Sequence, residues 1–160
     1  MSGLVSYETE VKAGAAKVWE LYGTTKMALL AKEALPDTII GLDILEGQGA
    51  VGTIIKITLA GGFSYKEKFT KVDHENRVKE TEAIEGGFLD MGLSLYRLRL
   101  EVIGKDEEES CMIKSTIEYE VTDGASFDVS LVSVKVFADI AEIVKKRLTT
   151  SSGATSSGTN

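Results

Sequence analysis

Cysteine, histidine and proline occur once each in these 160 residues, as Cys111, His74 and Pro36. A lone cysteine excludes an intramolecular disulfide framework. One histidine beside it leaves too few soft ligands for a zinc cage, which takes three or four. Apolar runs fall well short of the ~20 residues that a membrane-spanning helix needs. Basic residues are the scarcer charge, 18 against 25 acidic, for a net charge of −7. That balance argues against general nucleic-acid binding, which rests on a cationic footprint that displaces counterions. The opening MSGLVSYETEV sets polar residues where a signal peptide would be apolar. The expectation is a soluble cytoplasmic protein, in no contact with membrane or nucleic acid, that works without a metal or other cofactor.

What is present suits one ordinary globular domain: 43% hydrophobic and 27% charged residues, close to the usual proportions. The domain is placed at 1–148. The final dozen residues, TTSSGATSSGTN, are small and polar and read as a disordered tail, 149–160.

Ala15–Leu35 has helical spacing in Val18, Leu21 and Tyr22 and again in Met27, Leu30, Ala31 and Ala34. Gly23-Thr24-Thr25 divides it into two short helices, and Pro36 ends the second. From Thr38 to Val121 the period changes to that of strands: Thr38–Leu45, Thr53–Ala60, Phe63–Val72, Val78–Glu85, Leu93–Ile103 and Cys111–Val121, punctuated by glycine and acidic turns. Ser6–Val11 makes a seventh. Short connections imply antiparallel neighbours. A helix is expected from about Ser126 to Leu148, with Val129, Val132, Val136, Ile140, Ile143 and Val144 as its apolar stripe. The fold class is α+β, a curved antiparallel sheet with helices on one side.

Three tempting motifs carry no site. Gly47–Gly52 spells G-x-G-x-x-G but runs into the strand TIIKITLA, whereas a dinucleotide loop must run into a helix; it reads as a hairpin turn. Asp106–Glu109 lacks the spaced oxygens of a calcium loop, and His74 sits in a turn expected to be exposed. The informative segment is Phe63–Val72. Alternation puts Phe63, Tyr65, Glu67 and Phe69 on one face and Ser64, Lys66, Lys68 and Thr70 on the other. The aromatic face points inward and takes Glu67 with it. A carboxylate there must find a partner, snorkel to water, or rise in pKa. Lys79 on the next strand is the partner to test, because an acid and a base in a dry pocket suit proton transfer. The register of the intervening turn leaves Lys79 open between interior and surface. In Leu93–Ile103 the apolar set is Ser94, Tyr96, Leu98, Leu100 and Val102, which makes Tyr96 an inward hydroxyl or a core tyrosine.

EGQGAVGT, Glu46–Thr53, resembles the glycine loop of the plant pathogenesis-related class ten or birch-pollen-allergen (Bet v) family. Tyr65–Tyr96 and Ser110–Val121 are similar to the norcoclaurine synthases within it, and GLSLYRLRLEV to the norbelladine synthases. The resemblance implies seven antiparallel strands wrapped around a long C-terminal helix, two short helices after the first strand, and a large internal cavity. It implies that a catalytic tyrosine, glutamate and lysine fall on Tyr65, Glu67 and Lys79, with Lys79 turned inward. Phe69, Phe88, Tyr96 and Leu98 then fall among the substrate-binding positions. Two positions depart: the family enzyme's catalytic aspartate falls on Leu98 and a pocket tyrosine on Phe88.

The expected function is cofactor-free condensation of an aromatic amine of the dopamine or tyramine type with an aromatic aldehyde, by Pictet–Spengler or imine-forming chemistry. The expected state is a monomer or weak dimer. The alternative is a non-catalytic binding protein for a plant hormone or secondary metabolite. Tyr65, Glu67 and Lys79 together favour the enzyme, and Leu98 favours the binder.

Overall fold

The computed structural model describes residues 1–158, with side chains to Thr149. The tail expected over 149–160 therefore falls, beyond Thr149, outside the described side chains. Strand β1 (Ser2–Val11) leads into α1 (Ala15–Tyr22) and α2 (Lys26–Ala34). Six strands follow: β2 (Ile39–Glu46), β3 (Ile54–Leu59), β4 (Ser64–Asp73), β5 (Val78–Gly86), β6 (Leu93–Ile103) and β7 (Cys111–Val121). The last element is α3 (Lys135–Gly158). All seven strands form one antiparallel sheet in the order β1-β7-β6-β5-β4-β3-β2. Hairpins build the run from β2 to β7. The helix pair α1–α2 carries the chain from one sheet edge, β1, to the other, β2.

Alternation fixes which side of the sheet is lined. In β7, Cys111, Ile113, Ser115, Ile117 and Tyr119 are buried, while the residues between them are half-exposed. Val18, Trp19 and Tyr22 of α1, Met27, Leu30 and Ala31 of α2, and Ile140, Ala141 and Val144 of α3 close over that side. The opposite side carries a ladder of charge pairs: Arg97 with Glu82 and Glu118, Arg99 with Glu80 and Glu101, Lys66 with Glu85. Solvent-facing, half-exposed pairs of this kind add little stability but keep the outer face wet.

Two expectations are corrected. The last helix begins at Lys135, not near Ser126. Two capping hydroxyl or carboxyl groups lie inside the expected span: Asp128 accepts from the Ser130 amide and starts a separate 3₁₀ turn, Val129–Leu131, and Ser133 Oγ accepts from the Lys135 amide. Val129 is consequently exposed instead of lying on the helix stripe. Ser94 also leaves the inward set. A bulge between Leu93 and Leu95 shifts the register against β7, so Leu93 is buried and Ser94 faces out, donating to the Glu120 carbonyl.

Candidate active-site cavity

Between the sheet, α2 and α3 lies a cavity of about 540 Å³, a size that suits drug-sized ligands. Its walls are overwhelmingly apolar, with Ile39, Leu42, Ile55 and Ile57 from the β2–β3 side and Val136, Phe137 and Ile140 from α3. Every site position expected from the sequence lines it: Tyr65, Glu67 and Phe69 from β4, Lys79 from β5, Phe88 from the 3₁₀ turn Gly87–Met91, and Tyr96 and Leu98 from β6.

Two bulges explain why these side chains converge. Glu67 pairs with Ala83 although Lys66 pairs with Glu85, so Ile84 is the extra residue. Phe69 pairs with Thr81 although Lys71 pairs with Glu80, so Thr70 is extra. Each extra residue resets the alternation, keeping Tyr65, Glu67 and Phe69 inward on β4 and Lys79, Thr81 and Ala83 inward on β5. Lys79 is only 4% exposed, which settles its orientation toward the interior.

Glu67 is the one carboxylate among the described lining residues. Thr81 Oγ1 donates to its Oε2 at 3.4 Å. Burial raises the Glu67 pKa, while the positive charge of Lys79 and the Thr81 hydrogen bond pull it down. Burial lowers the Lys79 pKa against the attraction of Glu67. The two groups are thus driven toward one another from opposite ends of the pH scale, which brings both titrations closer to neutrality. The Lys79 ammonium donates to the Thr24 carbonyl at 3.2 Å and stands 4.4 Å above the Phe69 ring. Both contacts favour its charged form. Burial, followed by the Glu67 charge, raises the Tyr65 and Tyr96 phenols, so both stay protonated donors.

The aromatic residues form a connected group. Phe63 meets Phe88 at 5.0 Å, Phe88 meets Tyr96 at 5.4 Å, and Phe127 meets Phe88 edge-on at 5.7 Å. These planes can hold flat aromatic reactants. Leu98 is buried and pairs with Thr81, beside Glu67. At this position the cavity presents a methyl surface.

Sequence reasoning missed two contributors. Lys135 lies at the cavity mouth as the first residue of α3, tethered to Asp139; no periodicity marks a helix start moved by capping groups. His74 is exposed as expected, yet its Nδ1 accepts from the Trp19 indole at 3.0 Å and so pins α1 to the β4–β5 turn. Among the described residues no cluster of metal-ligating side chains occurs, and no helix is long and apolar enough to cross a membrane.

A hollow α+β domain whose sheet and terminal helix enclose an apolar chamber lined by a carboxylate and a buried lysine is a ligand-cavity protein of the helix-grip class. The chain belongs to the pathogenesis-related protein Bet v 1 family, whose model matches residues 1–149. It is 40% identical over 152 residues to norbelladine synthase of Narcissus pseudonarcissus, covering 92% of this chain and 93% of that protein. It is 38% identical to S-norcoclaurine synthase 1 of Papaver somniferum, over 90% of this chain but only 66% of that longer protein. Among solved structures it is similar to norcoclaurine synthase from Thalictrum flavum in complex with dopamine and hydroxybenzaldehyde. That likeness has a TM-score of 0.80 and 35% identity, over 92% of this chain and 87% of the other.

Proposed function

We propose that the protein condenses an aromatic amine with an aromatic aldehyde, without a cofactor, using Glu67 and Lys79 as its catalytic base and acid. The observation that carries this reading is that one apolar aromatic chamber holds a single carboxylate, Glu67, and the buried ammonium of Lys79, their pKa values shifted toward each other. Similarity to two amine–aldehyde synthases supports it.

The chemistry follows from the groups present. Glu67 removes a proton from the arriving ammonium, and the freed amine nitrogen bonds to the aldehyde carbon. Lys79 donates a proton to the resulting hydroxyl, which departs as water and leaves a C=N bond. Where a ring carbon of the amine then attacks that bond, Glu67, which has first passed the proton it took to the now neutral Lys79 amine, accepts the proton the ring loses. Tyr65 orients the phenol or the departing oxygen, and Phe69, Phe88 and Tyr96 stack on the rings. Each acid–base step contributes about 10²–10⁴-fold, and holding both reactants in register contributes further. Leu98 removes a second anchoring carboxylate, so the reading favours amines held by Glu67 alone and products that stop at the imine. The same apolar wall also suits a metabolite binder without catalysis.

The test is product formation from two reactant pairs, dopamine with 4-hydroxyphenylacetaldehyde and tyramine with 3,4-dihydroxybenzaldehyde, with Lys79→Met and Glu67→Gln alongside. The expected result is accelerated imine formation, or a single enantiomer of the cyclised product, reduced at least about 10²-fold in each variant. Background rates and a racemate from the wild-type protein for both pairs would leave only the binder.

A further inference from the structure

The glycine loop between β2 and β3 is a motif of the sequence to which no role has yet fallen, and it lies beside both contacts that hold Lys79. On one side it reaches the break between α1 and α2: a Cβ on Gly49 would stand 3.8 Å from Thr24 Cα and 3.7 Å from the Thr25 nitrogen. The Thr24 carbonyl is the hydrogen-bond acceptor of the Lys79 ammonium. On the other side the loop is bonded to the backbone of Phe69, whose ring lies beneath that ammonium. Gly52 N–H donates to the Phe69 carbonyl at 2.9 Å, and Phe69 N–H donates to the Thr53 carbonyl at 2.8 Å. The loop itself is held by Thr53, whose fully buried hydroxyl accepts from Gly49 N–H at 2.8 Å and donates to the Ala50 carbonyl at 2.7 Å.

We infer that the loop Gly47–Thr53 is the positioning device for Lys79, clamping the Thr24 carbonyl and the Phe69 ring around its ammonium, with Thr53 as the positioning residue. This rests on the acid role proposed for Lys79. The argument is one of sparse contacts. An ammonium has three donors, and in an apolar wall Lys79 has, among the described residues, a single carbonyl at 3.2 Å and one ring face. A small retreat of either contact therefore swings the proton away from the reacting oxygen, and displacements of this kind cost about ten- to a hundredfold in rate. The glycine spelling suits the task. Gly47, Gly49 and Gly52 all adopt positive φ, at 81°, 116° and 97°, so the loop can fold back on the Thr53 hydroxyl while its backbone approaches the helix break.

The experiment compares Thr53→Val, which removes the hydroxyl, with Thr53→Ser, which keeps it, by titrating Lys79 in [¹³Cε]lysine-labelled protein and by steady-state kinetics. Loss of the clamp leaves the buried ammonium with fewer favourable contacts. Thr53→Val should therefore titrate at lower pH than wild type, lose about ten- to a hundredfold in kcat and keep its KM, and Thr53→Ser should restore both. If Thr53→Val does not fold, Gly49→Ala is compared with Gly124→Ala. Both place a side chain at positive φ, at 116° and 79°, but Gly124 has nothing within 4 Å. Only Gly49→Ala should move the Lys79 titration. A folded Thr53→Val or Gly49→Ala with the wild-type Lys79 titration overturns the inference. Absence of condensation by every protein, with the Lys79 titration displaced as expected, removes the proposed reaction and leaves the positioning role standing.

Discussion

At the scale of the residue, Glu67 and Lys79 each sit where the fold opposes their charge. Glu67 binds its proton more tightly folded than unfolded, because burial raises its pKa. Stability therefore falls as pH rises from the ordinary carboxylate value through the raised one. Lys79 binds its proton less tightly folded, because burial lowers its pKa. Stability therefore rises as pH climbs from the lowered value through the ordinary lysine value. The pair cuts a trough in the stability profile between those limits. Glu67 and Lys79 are not in direct contact, but each feels the charge of the other; replacing buried opposite charges by neutral groups is often neutral or stabilising by about 1–4 kcal/mol, whereas removing one strands the other. In thermal melts across this pH range, the double variant Glu67→Gln/Lys79→Met should lose the trough and be at least as stable as wild type. Lys79→Met alone should be less stable than the double variant wherever Glu67 is ionised. A double variant that melts well below wild type throughout would mean that the pair supports the fold instead of straining it. Glu67 was legible in the sequence because its strand alternates cleanly with Phe63, Tyr65 and Phe69. Lys79 was not, because its orientation depends on an extra residue at Thr70 that no local pattern announces; resemblance supplied what alternation left open.

At the scale of the element, the strands were read closely because each is bounded by glycine or acidic turns, and because alternation is strict in β7 and, beyond the bulge at its start, in β6. The long helix was read too early. An apolar stripe at helical spacing continues through Val129 and Val132, and only the hydrogen bonds of Asp128 and Ser133 decide that the backbone does not. The cavity end of β5 depends on a similar backbone detail. Gly86 has φ 79°, and a Cβ there would stand 2.7 Å from the Ser64 carbonyl oxygen. It immediately precedes the 3₁₀ turn that brings Phe88 into the aromatic group. Gly62, at φ 85°, has nothing within 4 Å. Gly86→Ala combines left-handed strain with a backbone clash and should cost about 2–3 kcal/mol or more. For a domain of this size that is a fall in Tm of about 5–10 °C. Gly62→Ala carries the strain alone and should fall less. Calorimetry of the two variants compares them directly, and equal losses would place the whole effect in the backbone angle.

At the scale of the molecule, the sheet and α3 enclose space instead of filling it, and that hollow was invisible to pattern analysis. Periodicity reports which face is apolar, not whether opposing faces meet. A ligand that fills the cavity of the folded chain stabilises it by mass action, about 2.7 kcal/mol at a hundredfold excess over Kd, or roughly 5–10 °C in Tm. The electrostatics of the chamber divide the two reactant classes. An aromatic amine arrives as a cation, and Glu67 is the one carboxylate among the described lining residues able to receive it. Below the raised pKa of Glu67 the carboxyl is neutral and the Lys79 ammonium repels the amine. Above it the carboxylate attracts the amine, and loss of the Lys79 proton at still higher pH acts in the same direction. A neutral aldehyde encounters only the apolar and aromatic walls. In thermal shifts measured with dopamine and 4-hydroxybenzaldehyde separately, stabilisation by the amine should grow as pH rises through the Glu67 transition, while stabilisation by the aldehyde stays level. Glu67→Gln should weaken the amine's effect and leave of its pH dependence only the part that follows the Lys79 proton. Amine and aldehyde shifts that track each other across pH, or an amine shift indifferent to Glu67→Gln, would show that the amine is held elsewhere than at Glu67. The assignment of Glu67 as the base that receives the amine would then fail, whatever the rate of condensation.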